Sequence, residues 1–323
     1  MKLVVVTGCL GFIGSEVTRA CLKKGWMVYG IDSKTYAASD YTSFMERMPN
    51  LSNFTFLKGD IADIKHIPDC DYVINVAAET HVGNSIIDSS DFIKSNIVGI
   101  KNLLDIIKHK PKNVTKRPIL FHFSTDEVYG DIEEGSHDEQ APLLPSNPYS
   151  ASKAAADMLI NAWARTYDLD YIILRPTNNY GQRQYPEKLV PLVVKQLQRG
   201  RKIRLHNQGE PYRNWLHVED TAQAVIKIIE SGVVNEIFNV AGGFEQKNID
   251  TTKKIINSYF NGDHKKEYKE YEDILDFSYI RRGQDVRYSI DDKKLRDLGW
   301  EPKKVFDQEI DKIVNDCKLR FRW

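Results

Sequence analysis

The sequence predicts an α/β fold: a doubly wound parallel sheet followed by a smaller C-terminal α/β unit. Three observations predict it. Short apolar runs alternate with helical stretches through the first 177 residues. The first run closes in a glycine-punctuated turn and the second ends in an aspartate, Asp32. Beyond residue 177 the alternation loosens and polar side chains multiply.

Leu3 to Thr7 reads as a short buried strand, followed by Gly8-Cys9-Leu10-Gly11-Phe12-Ile13-Gly14 and a helical pattern to about Lys24. Glycines at three-residue spacing between strand and helix let a backbone approach a pyrophosphate resting on the helix N-terminus. The next strand, Trp26 to Ile31, ends in Asp32, placed to hydrogen-bond an adenosine ribose. Together these give a Rossmann-type domain. A carboxylate there repels a 2′-phosphate, which favours NAD, although Lys34 leaves an answer to a phosphate open. Phe54 to Leu57 is a third strand, and Asp60 and Ile61 after it are placed to meet the adenine. Tyr72 to Val76 is a fourth, ending in Ala77-Ala78-Glu79-Thr80-His81, whose small residues let a cofactor lie against the sheet edge. His81 stands alone and reads as a structural contact.

A helix over roughly Asp91 to Lys108 carries Ile97, Ile100, Leu103, Leu104 and Ile107 on one stripe. Ile119 to Phe123 reads as a buried strand that delivers Ser124-Thr125-Asp126-Glu127-Val128-Tyr129-Gly130 to its carboxyl end, where open α/β sheets place their chemistry. After Pro142, Pro145 and Pro148 comes Tyr149-Ser150-Ala151-Ser152-Lys153, with Tyr149 and Lys153 four apart on one helix face. Lowering a tyrosine pKa of about 10 by about three units requires roughly 4 kcal/mol. One ammonium about 4 Å away supplies that order at an effective dielectric of about 20. Tyr149 is therefore a candidate base for a hydroxyl proton. Asp126 and Glu127 are candidates for an acid and a base of an elimination, since two carboxyls in one pocket tend to split their pKa values. A second stripe, Ala151, Ala154, Ala155, Met158 and Ala162, suits burial against another helix or a second subunit. Tyr171 to Leu174 closes the first half. The boundaries expected are a nucleotide-binding domain at 1–177 with a return segment of about 215–242, and a cation-lined substrate domain at 178–214 and 243–323.

Totals exclude several classes. Acidic and basic residues balance at 45 each, so no global field favours nucleic acid or an anionic membrane. No apolar stretch approaches the roughly 18 residues of a membrane span. After Lys2 the apolar run is only Leu3 to Val6, so no signal peptide is expected. Cys9, Cys21, Cys70 and Cys317 lack CxxC spacing and read as reduced thiols of a cytoplasmic protein with no metal site.

With those residues in place, the chain resembles the extended short-chain dehydrogenase/reductase superfamily, and within it the nucleoside-diphosphate-glucose 4,6-dehydratases. The likeness rests on Thr7-Gly8 through Gly14, Lys34-Thr35-Tyr36-Ala37, Ala77 to Val82, Ser124 to Gly130, Tyr149 to Ala154, Arg175 to Gly181 and Tyr185 to Leu189. Its most specific part is Thr125-Asp126-Glu127, which marks dehydratases in that superfamily. The resemblance implies oxidation at carbon 4 of a dTDP- or UDP-glucose, loss of water across carbons 5 and 6, and hydride return to carbon 6. It implies that Thr125 and Tyr149 hold the 4-hydroxyl, Asp126 is the general acid, Glu127 the base at carbon 5, and Lys153 tunes Tyr149 and binds nicotinamide ribose. Expected NAD contacts are Gly8, Gly11, Phe12, Ile13, Gly14, Asp32, Lys34, Thr35, Asp60, Ile61, Ala77, Ala78, Thr80, Ser95, Tyr149, Lys153 and Asn179. Expected substrate contacts are Thr80, Thr125, Asn178, Lys188, Leu189, Leu205, His206, Arg213, Asn239, Arg281 and Gln284. A homodimer through the 91–108 and 149–166 helices is implied as well.

The sequence departs from that pattern at Cys9, where a second glycine is usual, at Gly83-Asn84, and around Ile280 to Tyr288. Those changes leave dTDP against UDP open. Two rivals remain at this point: an NAD-dependent 4-epimerase, which needs Tyr149 and Lys153 but not the carboxylates, and a non-catalytic NAD-sensing protein.

Overall fold

The computed structural model describes residues 1–110, 117–281 and 285–320. Seven parallel strands form the main sheet, in the order Glu236–Val240, Tyr171–Pro176, Ile119–Phe123, Tyr72–Asn75, Leu3–Thr7, Met27–Asp32, Phe54–Lys58. Val4 and Val6 pack toward one layer of helices and Val5 toward the other, so both faces are covered and the strands carry no polar alternation. The chain runs outward in one direction from Leu3–Thr7 through the second and third strands, then returns to the other side with Tyr72–Asn75. That reversal is the switch point at which open α/β sheets leave a crevice beyond their carboxyl ends.

The strand Tyr212–His217 does not join this sheet. It pairs in parallel with Asn178–Tyr180 and antiparallel with Glu245–Lys247, forming a separate three-stranded sheet. Of the expected return segment, the strand Glu236–Val240 joins the main sheet, and the helix Val218–Ser231 and Leu216 pack into its first core. Leu295 and Trp300 also pack into the first core, so the chain visits it again near its end. A second core gathers Tyr180, Val190, Val194, Trp215, Ile255 and Phe306.

The helix expected over Asp91 to Lys108 is interrupted. Ile93–Val98 is a π-helical stretch leading into an α-helix over Gly99–His109. One wider turn shifts the periodicity, so Ile97 is half-buried and Asn96 takes the inward place at 2 % exposure. Ile100, Leu103, Leu104 and Ile107 keep the stripe. Asn96 then holds the loop after the fourth strand: it accepts from Glu79 N–H and donates to Glu79 C=O, each at 2.9 Å, and donates to Ser152 Oγ at 2.9 Å. Asn96→Ala strands both Glu79 backbone groups and should cost about 1–3 kcal/mol. A thermal midpoint equal to the parent's would show that the loop holds without it.

Candidate active site

The glycine turn is the first wall of the site. Gly8 has φ +67°, and a Cβ on Gly14 would sit 2.0 Å from the Gly8 carbonyl oxygen, so only glycine admits this close strand-to-helix turn. Cys9 replaces the usual glycine without crowding because its side chain is buried against Gly30, where a Cβ would meet its Sγ at 2.7 Å. Asp32, at the end of the second strand, accepts from Leu10 N–H at 3.0 Å and Lys34 N–H at 2.7 Å, which fixes its carboxylate at the crevice. Burial pushes its pKa up and those two donors hold it back.

A cleft of about 710 Å³ opens from this turn along the carboxyl edge of the sheet. Gly8, Gly11, Phe12, Ile13, Gly14 and Asp32 line one end, followed by Thr35, Asp60, Ile61, Ala77, Ala78, Thr80 and Ser95. Thr125, Asp126, Glu127, Tyr149, Asn178, Asn179 and Lys188 line the other. The expected nucleotide contacts and the expected chemistry thus share one continuous space. A wall of glycines and alanines with Asp32 beside them fits a dinucleotide.

Tyr149 stands in the first turn of the helix Pro148–Tyr167, which starts there because Asn147 caps it: Asn147 Oδ1 accepts from Ser150 N–H at 3.0 Å, with Pro148 at the first position. Asn147 also points its Nδ2 at Glu127 Oε2, 3.5 Å away. Thr125 begins a short 3₁₀ turn after the strand, and its hydroxyl donates to Asp126 Oδ1 at 3.1 Å. Asp126 is 2 % exposed, and its Oδ2 has no hydrogen-bond partner among the described residues. Burial, then the adjacent Glu127, pushes the Asp126 pKa up to about 7. Burial raises Glu127 too, but Arg213, Arg281 and Lys188 oppose it. Asp126 is thus suited to donate a proton near neutrality, while three cations favour the anion of its neighbour.

Several expected contacts fall elsewhere. The Lys34 ammonium lies over the rings of Tyr41 and Phe56, 5.2 and 5.1 Å from their centroids, and Lys34 is not part of the cleft lining. Lys153 is buried behind the wall; its Nζ donates to the Phe123 carbonyl and lies 3.4 Å from His122 Nε2. The phenol of Tyr149 is accordingly not lowered by Lys153: burial, then Glu127 and Asp126, raise it, and only the Thr125 hydroxyl opposes them. Asn239 is 0 % exposed and fully engaged, accepting from Tyr129 Oη and donating to the His137 and Asp291 carbonyls, so it is structural. Leu189 packs on the second core and Leu205 lies within it, with the Leu205 N–H given to the Asp276 carbonyl. His206 meets Tyr279 edge-on at 4.9 Å, outside the cleft wall, and its pKa is pushed down to about 4 by burial and then Arg281. Asn179 lines the cleft, but its amide is taken by Thr177 C=O and Thr221 Oγ1. Asn178 keeps a buried Oδ1 with no partner among the described residues. Lys188 donates to Thr80 C=O at 2.9 Å. Gln284 lies outside the described residues.

The structure also adds residues that no motif announced. Tyr288 Oη reaches Glu127 Oε2 at 3.4 Å from 161 positions away. Ser85 Oγ accepts from Tyr149 N–H at 3.2 Å. The Asn-Pro-Tyr-Ser cap was the one local signal that could have placed Asn147.

The Rossmann-type sheet, the dinucleotide-shaped cleft, and a buried Tyr149 beside Thr125 and two carboxyls define an NAD-dependent enzyme of the extended short-chain dehydrogenase/reductase class. The family model for GDP-mannose 4,6 dehydratase matches residues 5–313, and the chain belongs to that family of nucleotide-sugar 4,6-dehydratases. It is 39% identical to the dTDP-glucose 4,6-dehydratase of Haemophilus influenzae, over 97% of each chain. It is 35% identical to the low-salt glycan biosynthesis protein Agl12 of Haloferax volcanii, again over 97% of each. A crystal structure of the dTDP-glucose 4,6-dehydratase of Streptomyces venezuelae with NAD bound superposes with a TM-score of 0.87 at 33% identity, covering 99% of this chain and 98% of that one.

Asp126 should hold its proton through mildly acidic pH and release it around pH 7, because its folded pKa lies above the ordinary carboxylate range. Aspartate-selective ¹³C NMR, with the resonance assigned by its loss in Asp126→Asn, reads this directly. Titration in the usual carboxylate range would mean that the carboxyl is solvated.

Proposed function

We propose that the protein is an NAD-dependent dTDP-glucose 4,6-dehydratase that yields the 4-keto-6-deoxy sugar nucleotide and water. The observation that carries this reading is a buried Asp126 beside a half-buried Glu127, both lining with Tyr149 the cleft that also holds the glycine turn. Oxidation alone needs no such pair. The names of the relatives support the thymidine nucleotide.

NAD, when bound, brings a cationic nicotinamide, takes the electrons of carbon 4 and returns them to carbon 6. The glycine turn, Asp32 and the alanines after the fourth strand hold it. Thr125 and Tyr149 face the 4-hydroxyl, and Tyr149 Oη takes its proton. Once carbon 4 is a ketone, the neighbouring C–H is acidic and Glu127 removes the carbon 5 proton. Asp126, protonated near neutral pH, hands its proton to the 6-hydroxyl, which leaves as water. Atoms balance: Asp126 supplies the proton that turns the carbon 6 hydroxide into water, Glu127 returns a proton to carbon 5 as hydride reaches carbon 6, and the 4-hydroxyl proton taken by Tyr149 makes good the one Asp126 gave up. Lys188 lines the cleft, and the charges of Lys188, Arg213 and Arg281 all favour the Glu127 anion; this reading gives the three cations the diphosphate, whose charge guanidinium forks suit. Asn178 offers its unpaired Oδ1 to the same ligand.

The same reading gives a homodimer. Ile87, Ile93, Val98 and Met158 are exposed on neighbouring helical segments, with Ile87 at 86% and Met158 at 65%. A contiguous apolar face of that kind suits a second copy. Cytoplasmic residence fits the four free cysteines. Among the described residues no helix is long and apolar enough to cross a membrane.

Incubation with dTDP-glucose, followed by mass measurement of the product, should show loss of one water, with UDP-glucose turned over more slowly. An unchanged mass with inversion at carbon 4 would make the protein an epimerase. Tyr149→Phe should lower turnover on the order of a hundredfold or more while the sugar nucleotide still binds. Near-parental turnover in that variant would remove Tyr149 from the chemistry. Met158→Glu should convert dimers to monomers in light scattering, and a parental mass would place the interface elsewhere.

A further inference from the structure

Beneath the cleft runs a buried polar chain that the reaction as described leaves without a task. Strand register sets it up: Thr7 pairs with Asn75, and Asn75 with His122, across three adjacent strands. Thr7 Oγ1 donates to Asn75 Oδ1 at 2.6 Å, and Asn75 Nδ2 lies 3.1 Å from His122 Nδ1. His122 Nε2 lies 3.4 Å from Lys153 Nζ and 3.9 Å from Asp157 Oδ1. Asp157 Oδ2 accepts from Ser124 Oγ and Arg175 Nε, each at 3.0 Å. Arg175 Nη1 donates onward to Tyr129 Oη at 2.7 Å. None of these side chains is more than 2 % exposed apart from Ser124 at 6 %.

Asp157 is the residue without a role in the chemistry. It lies one helical turn beyond Lys153, as Lys153 lies one turn beyond Tyr149. Its Oδ1 is buried without a hydrogen-bond partner among the described residues and is directed toward the His122 end of the chain. A buried ammonium with one carbonyl and one imidazole for partners loses its proton readily unless an anion faces it. We propose that Asp157 is a positioning residue for the dehydratase: anchored on Arg175 and Ser124, its carboxylate keeps Lys153 charged and seated against the Phe123 carbonyl, and so fixes the strand end that presents Thr125, Asp126 and Glu127.

The surroundings fit that role. On its own helix Lys153 has Asp157 and Tyr149 as ionisable neighbours; from the strand Ile119–Phe123 it meets His122, and from Tyr171–Pro176 Arg175 enters through Asp157. Burial, then Lys153 and Arg175, holds His122 well below its ordinary pKa, so the imidazole adds no competing charge. Burial pulls the Lys153 pKa down to about 8, and Asp157 is the group that opposes the fall. Burial raises Asp157 itself, against which Arg175, Lys153 and Ser124 favour its anion. Ser124 gives Asp157 a second hold on the same strand end, directly before Thr125.

The proposal rests on the reaction proposed above, for which Lys153 holds the end of the strand that carries Thr125, Asp126 and Glu127, and the test separates the two. In ε-¹³C-lysine NMR, with the Lys153 signal assigned by its loss in Lys153→Arg, Asp157→Asn should move the Lys153 titration down by about one unit or more. The alkaline limb of the turnover–pH profile should move the same way, while the Michaelis constant for the sugar nucleotide stays within about twofold. If Asp157→Asn does not fold because Arg175 is stranded, the Lys153 titration in Asp157→Asn with Arg175→Gln is read against that of Arg175→Gln alone and should still lie lower. Unmoved Lys153 titration in either variant overturns the proposal. If Lys153→Gln keeps parental turnover, the reading of the Tyr149–Lys153 pair fails instead, whatever Asp157 does to the NMR signal.

Discussion

Placing two carboxyls next to each other in a water-poor site is the constraint around which this structure is organised. Desolvation disfavours both anions, and each anion disfavours the other. The protein resolves the conflict asymmetrically. Asp126 receives one hydroxyl and stays protonated toward neutrality, whereas Glu127 is faced by Arg213, Arg281 and Lys188, by Asn147 and by Tyr288. Four of those five lie beyond residue 177, so the second unit supplies the field that differentiates the two carboxyls at the end of the first unit's strand. A site of this kind cannot be assembled by the Rossmann-type half alone.

The same division explains what the sequence disclosed and what it withheld. The glycine turn, Asp32, the Thr-Asp-Glu triplet and the Tyr149–Lys153 spacing were legible because strand ends and helix turns place neighbouring residues by local geometry. The first six strands of the main sheet in chain order were visible as apolar runs, the inner ones because burial on both faces removes polar alternation. Contacts between distant segments were not legible. Tyr288 meets Glu127 from 161 positions away, and Asp157 meets Ser124 across 33. The π-helical turn at Ile93–Val98 also escaped, because a stripe from Ile97 to Ile107 reads as one α-helix until Asn96 is seen to take the inward place.

Misplaced expectations have equally specific reasons. Lys34 was read as a possible phosphate ligand by proximity to Asp32, yet aromatic rings capture its ammonium. That leaves Asp32 as the carboxylate at the end of the second strand that lines the cleft, which favours NAD. Asn239, Leu189 and Leu205 were assigned by resemblance, but their side chains meet packing and hydrogen-bond demands of the fold. Lys153 was expected to act on Tyr149 directly; its short reach to Phe123 and His122 instead makes it part of a buried polar chain. Among the groups acting on the phenol, Thr125 alone opposes the rise that burial, Glu127 and Asp126 impose.

The division of labour between the two carboxyls is tested most directly by following carbon 5 and carbon 6 separately, in deuterated water with dTDP-glucose. In Glu127→Gln, solvent deuterium should fail to enter carbon 5 and no 6-deoxy product should form. In Asp126→Asn, deuterium should still enter carbon 5 while loss of the 6-hydroxyl slows, because the base and the ketone remain but the acid is gone. Dehydration and carbon 5 exchange at parental rates in Glu127→Gln would contradict the account and return both carboxyls to a structural role.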